Sequence, residues 1–157
     1  MKNLLLLISG FLALSGCSSI SDNSQRNIYI PSGTSFNATT VTGADVSKIE
    51  SSQILINING DLLLSNGTTI NYLNNCRAII NVIADYSSER IYGKLEKISC
   101  SIPNHYIFEK NADGYIADSD GKAGIKAKKN PKGFLELNSD KKITVIFTKP
   151  FALEDTK

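Results

Sequence analysis

The sequence is poor in the residues that most site chemistry requires. It has one histidine and three cysteines, no two of them close together, so the ligand spacing of a zinc site is missing. It contains no Gly-x-Ser-x-Gly elbow, phosphate-binding loop or cluster of metal ligands. His105 stands beside Pro103 and Asn104 in a loop-like stretch, with no nucleophile or carboxylate arranged around it for acid–base work. Neither an enzyme nor a metal or other cofactor is expected. Excess charge is missing too. The chain has 17 Lys and Arg against 15 Asp and Glu, and so near-neutral a total gives no reason to expect nucleic acid as a partner. Nothing approaches the roughly 20 apolar residues of a membrane-spanning helix. No window of about 11 residues beyond the N-terminus shows convincing helical periodicity.

What is present begins at the N-terminus. Lys2 precedes a mostly apolar run from Leu4 to Leu14, the layout of a secretory signal. The run ends in Leu14-Ser15-Gly16-Cys17, which resembles the bacterial lipobox, with small side chains ahead of a cysteine whose thiol would carry the lipid. An ordinary cleaved signal that happens to contain a cysteine is the plainer alternative. Ser18 and Ser19 follow where an Asp would favour retention at the inner membrane, so the outer membrane is expected. Removal of residues 1–16 leaves 141 residues, with 16 basic against 15 acidic, enough for one domain with a core. If Cys17 is lipidated, Cys76 and Cys100 remain as a pair in an oxidising space. A disulfide between them would contribute about 3–4 kcal/mol on the chain-entropy account. The alternative is two buried thiols. Ser18 to Asn27 is polar, so the chain divides into a signal (1–16), a flexible tether (17–27) and a folded domain (28–157).

The domain reads as strands. Ile54, Ile56 and Ile58 alternate with polar neighbours; Ile91, Gly93 and Leu95 do the same, with a phase slip at Lys97-Ile98 that suggests a bulge. Ile143, Val145 and Phe147 share a face near the end. Cys76 to Ala84 is apolar at both parities, as in a strand covered on both sides. Turn signals separate these runs: Asn59-Gly60, Asn66-Gly67, Asp113-Gly114, Asp120-Gly121 and Asn130-Pro131. A short helical turn is expected only around Ala44 to Ile49. The pattern predicts an all-β fold, a single barrel or barrel-like sandwich.

The order of motifs within that fold resembles the C-terminal β-barrel domain of TraB-type conjugal transfer proteins, the scaffold of type IV secretion systems that faces the outer membrane. Tyr29-Ile30-Pro31-Ser32-Gly33-Thr34-Ser35-Phe36 is similar to the family's first barrel strand, and Thr42-Gly43-Ala44-Asp45 to the break after it. Ser87-Ser88-Glu89-Arg90 lies between two cysteines, with Leu95-Glu96 and Ser99-Cys100 following. Gly114-Tyr115, Asp120-Gly121-Lys122-Ala123-Gly124 and the closing Ile143 to Thr148 complete the match. The resemblance implies ring oligomers and protein partners within a secretion or conjugation complex. This chain lacks the family's inner-membrane helix, periplasmic linker and helical antenna; six polar residues, Lys128 to Gly133, stand in the antenna's place. A lipid on Cys17 would then replace the antenna as the membrane attachment. The alternative function is a free-standing periplasmic binding module that contacts a pilus or envelope protein.

Three local features have competing readings. Lys122, Lys126, Lys128, Lys129 and Lys132 form a basic stretch that is read first as a solvated loop and strand edge, then as a contact for lipid headgroups or a partner, and last as a DNA guide. Asp118-Ser119-Asp120 begins like a calcium loop, but Lys122 and Lys129 fall where oxygen ligands are needed, so a hairpin turn is expected. Glu89 and Arg90 read as an exposed ion pair of little energetic consequence, with a subunit contact implied by the resemblance alone.

Overall fold

The computed structural model describes residues 28–101 and 107–153, so Cys17, the tether and His105 lie outside the described residues. In chain order the strands are β1 (Ile28–Ile30), β2 (Ser35–Thr40), β3 (Ala44–Val46), β4 (Ser52–Leu63), β5 (Thr69–Leu73), β6 (Cys76–Asp85), β7 (Arg90–Ser101), β8 (Ile107–Ala117), β9 (Ile125–Lys126), β10 (Lys128–Lys129), β11 (Leu135–Leu137), β12 (Lys142–Phe147) and β13 (Phe151–Leu153). No helix occurs among the described residues, and the all-β expectation holds.

The two-residue period of the sequence becomes a two-residue period of burial. β4 turns Ile54, Ile56, Ile58 and Leu62 inward and Gln53, Asn57, Asn59 and Asp61 outward, because successive side chains of a strand point to opposite faces. β12 does the same with Ile143, Val145 and Phe147. Six antiparallel strands, β2, β4, β6, β7, β8 and β12, follow one another round a sheet in which β2 pairs with both β12 and β4. The sheet is therefore a closed up-and-down barrel, and closure removes the exposed edges of an open sheet. The interior is filled by side chains, among them Phe36, Ile54, Ile56, Ile80, Leu95, Ile98, Ile116 and Phe147, so the barrel has a packed core and no channel.

Both mouths are capped. At one, a three-stranded sheet in the order β10-β11-β3 lowers Val46, Leu135 and Leu137 onto the core. At the other, β1 and β13 pair as a ribbon that turns Ile30 and Phe151 inward. Phe151 stacks on Phe147 at 5.5 Å between ring centroids, and Phe147 meets Phe36 at 5.4 Å. The first cap lies where β6 turns into β7; the second holds both ends of the described domain. They are called here the lysine end and the terminal end.

Three sequence expectations need correction in detail. The stretch expected to be helical is strand β3, followed by a turn: β3 gains partners from β11 at Val46, Asp45 and Ala44, and Ser47 Oγ accepts the N–H groups of Ile49 and Glu50 at 3.1 and 2.8 Å. β6 is not covered on both faces. It alternates like the others, and Ile79 and Ile83 stay partly or largely exposed on the outer wall. The bulge falls one residue early. Ile80 pairs with Leu95 and Ile79 with Lys97, which leaves Glu96 as the extra residue. Its carboxylate accepts hydrogen bonds from Asn81 on β6 and, at 3.1 Å, from Gln53 on β4.

Cys76 and Cys100 stand directly opposite each other on β6 and β7 and are joined by a disulfide. Both face the core.

Candidate functional site

Arg90 opens β7 on the outer wall, and its side chain reaches across to the loop that follows β8. Its guanidinium pairs with the Asp118 carboxylate and donates to the carbonyls of Ala123 and Gly124, each at 2.9 Å. The two charged side chains keep only 14% and 17% of their surface, so this is a partly buried latch rather than an exposed pair with Glu89, and the sequence expectation is corrected on that point. Glu89 instead occupies a left-handed backbone conformation, φ 53°, and its carbonyl accepts the N–H of Ala127 at 3.0 Å. The segments Ser87 to Arg90 and Asp120 to Gly124 therefore meet in space through Arg90. The latch also explains the calcium-like spacing: Asp118 Oδ1 accepts the Asp120 N–H at 3.3 Å, which closes a turn. Hydrogen bonding with Asp120, then the Arg90 guanidinium, holds the Asp118 carboxyl below the ordinary carboxylate range against the opposing effect of burial.

The neighbouring turn is built similarly. Asp85 ends β6 and accepts hydrogen bonds from Ser87 Oγ at 2.6 Å, Ser88 Oγ at 2.8 Å and Ser87 N–H at 3.0 Å. These donors, the Ser87 hydroxyl foremost, pull its carboxyl down to about 2.

Lys122, Lys126, Lys128, Lys129 and Lys132 are all exposed, but they do not form a single-signed surface. Lys122 lies 3.7 Å from Asp120, and Lys128 stands opposite Glu136 in the cap. Lys129 shares the inner face of the cap with Leu135 and Val46; at that sheet's edge its ammonium sits 5.4 Å from the centre of the Tyr86 ring, a cation–π contact. Lys132 belongs to the 130–134 turn, where Asn130 accepts the N–H groups of Lys132 and Phe134 and donates to Asp45 at 2.9 Å. Register places the loops 47–51, 86–89 and 130–134 together at the lysine end, with Ser47 carbonyl accepting the Ala84 N–H at 2.9 Å.

Sequence reasoning missed Ile49. It is 92% exposed at the tip of the 47–51 loop, between Lys48 and Glu50. The available signal was a lone isoleucine in a polar segment. Also missed were Tyr29, Leu63 and Tyr72, which stand exposed around the terminal end. Among the described residues no group of His, Cys, Asp and Glu is arranged to hold a metal ion, and residues 43–45 and 136–139 line a shallow, open depression. No helix among them is long and apolar enough to cross a membrane. No protein-family model matches the chain, and no curated protein does either.

Proposed function

We propose that the chain is a structural lipoprotein of a type IV secretion or conjugation apparatus, attached to the outer membrane through Cys17 and packed in a periplasmic ring. The observation that carries this reading is the ordered series of motifs similar to the TraB-type barrel, placed on a closed β-barrel in which two of those motifs are latched together by Arg90. A filled interior suits a building block, since a packed barrel offers contact surface rather than a cavity for a substrate. The cross-strand disulfide suits an oxidising compartment.

Affinity purification of the lipidated chain from its native cells, followed by size analysis in mild detergent, tests the reading. The expected result is an oligomer that contains secretion or conjugation subunits; a monomer at every concentration, with no such subunit, overturns it. Fractionation tests the anchor separately. Cys17→Ser is expected to leave the membrane fraction, and its retention at wild-type level overturns the lipid attachment. The second reading, a free-standing binding module, draws on the exposed Ile49 with Lys48 beside it at the lysine end, where an apolar tip and charges offer a protein contact.

A further inference from the structure

We infer that the terminal end of the barrel lies against the lipid surface that holds the anchor, so that the lysine end points away from the membrane. The inference rests on the lipidation of Cys17 put forward above. Ten residues lie between Cys17 and Ile28, so eleven Cα–Cα steps separate them. At full extension they reach roughly 35–40 Å. The longest barrel strands, β4 and β7, have twelve residues each and measure about 40 Å along their own tilted axes. The tether is therefore long enough to leave more than one orientation open, and the surface of the domain must decide between them.

The surface is asymmetric. β1, where the described chain begins, lies across one mouth with Ile30 turned into the core, and the alternation sends Tyr29 outward, 64% exposed. The loop after β1 adjoins the β4–β5 turn, where a Cβ on Gly33 would lie 3.8 Å from Ser65. The ribbon that ends in that turn exposes Leu63 by 48% and Tyr72 by 45%. Two tyrosines and a leucine around one mouth form an amphipathic rim: the rings enter the headgroup layer while the hydroxyls remain wet. Among the described residues, the charged groups nearest this rim have hydrogen-bond or ion-pair partners. Lys149 pairs with Asp113 at 3.2 Å, Asp61 accepts from Asn71 at 2.9 Å, and Lys110 donates to the Ala152 carbonyl at 2.7 Å. Of these, Lys149 and Asp113 offset each other as an ion pair, which lowers the cost of bringing this end to a lipid surface. Toward the opposite end, Lys48, Lys126, Lys128, Lys129 and Lys132 are interleaved with Glu50, Asp85, Glu89 and Glu136, and the exposed apolar residues there, Val41, Ile49 and Ile83, are aliphatic, with no polar tip to sit at a headgroup layer. A surface of mixed sign gains little from anionic headgroups.

The chain contains no tryptophan, so single reporters can be introduced without background. The full lipidated protein is reconstituted into phosphatidylethanolamine–phosphatidylglycerol vesicles that carry brominated acyl chains. Tyr29→Trp and Tyr72→Trp are expected to lose emission and shift to the blue, whereas Ile49→Trp keeps the emission of an aqueous indole. Quenching at Ile49→Trp with none at Tyr29→Trp inverts the orientation and overturns the inference. Absence of quenching at all three, in protein that still floats with the vesicles, also overturns it, because the tether then holds the domain clear of the surface. Flotation of the wild type separates the two claims: if it does not float, the anchor falls and the orientation falls with it.

Discussion

Arg90 does more in this fold than a strand-opening arginine ordinarily does. It gathers the Asp118 carboxylate and two main-chain carbonyls that have no other side-chain donor among the bonds described above, and it is largely shielded from water. Truncation leaves those acceptors and a half-buried carboxylate unpaired. Arg90→Ala is expected to destabilise the domain by about 2 kcal/mol in urea unfolding, and Arg90→Lys to recover only part of that, since an ammonium cannot reproduce the planar fork. A loss below the error of the measurement would reduce the latch to an exposed ion pair. Asp85 makes the pH dependence explicit. Its carboxyl is lowered from 3.8 in the unfolded chain to about 2 in the folded one, so the folded state favours the ionised form. That contribution is complete above about pH 4 and is lost as pH falls through 2, because the unfolded chain binds its proton first. Asp85→Asn is expected to flatten the stability profile between pH 4 and 2; an unchanged slope there would show that other carboxylates govern acid unfolding.

At the scale of elements, the division between what the sequence discloses and what it hides follows strand length. β4 and β12 were legible because twelve and six residues give a period room to repeat, and their inward isoleucines, valine and phenylalanine are the ones expected. β3 and β11 have three residues each, too few to carry a period, and they exist because each supplies the other's ladder partners. Hence Ala44 to Ile49 looked helical until β11 was in place. The partner of Arg90 was illegible for a related reason: Asp118 is 28 residues away, and no local pattern reports so distant a contact. The cap's attachment is testable at Thr40. This buried hydroxyl donates to the Asn138 carbonyl and accepts the Lys141 N–H, both at 2.8 Å, and so ties the β11–β12 turn to the barrel wall. Thr40→Val keeps the shape but leaves both groups unpaired, and is expected to cost about 2 kcal/mol in thermal or urea unfolding. Gly114 tests the wall itself. A Cβ there would stand 2.6 Å from the Ile146 carbonyl oxygen of the neighbouring strand, a main-chain atom that cannot swing aside. At Gly93 the obstacles are the side chains of Ile116 and Ile80, of which the Ile116 Cδ1 is the movable end of a chain and the Ile80 Cγ2 yields only as the core repacks. Gly114→Ala should therefore lower the melting temperature more than Gly93→Ala; the reverse order would mean that the β8–β12 ladder yields more easily than the core.

At the scale of the whole molecule, the two capped ends differ in how they are held. The lysine end is fastened by polar latches at Arg90, Asp85 and Thr40. The terminal end is fastened by apolar contacts of Ile30, Phe36, Phe147 and Phe151, and toward that end the Cys76–Cys100 disulfide ties β6 to β7. The sequence offered the cysteine pair by arithmetic, but not that the two would face each other across adjacent strands, a matter of register. Both sulfurs lie among core side chains, so a reductant reaches them only when the wall between β6 and β7 opens. Reduction should therefore be slow in native buffer and should accelerate in urea well below the unfolding midpoint, as local opening becomes more frequent. Once reduced, or in the Cys76→Ser, Cys100→Ser double variant, the domain is expected to lose about 2–4 kcal/mol, because 24 residues of the unfolded chain are no longer constrained. The loss should leave the acid profile between pH 4 and 2 unchanged, since Asp85 lies at the far end of the same two strands. A disulfide that reduces at the rate of an exposed one, or a reduced form with an altered acid profile, would show that the two ends are coupled through the barrel rather than fastened independently.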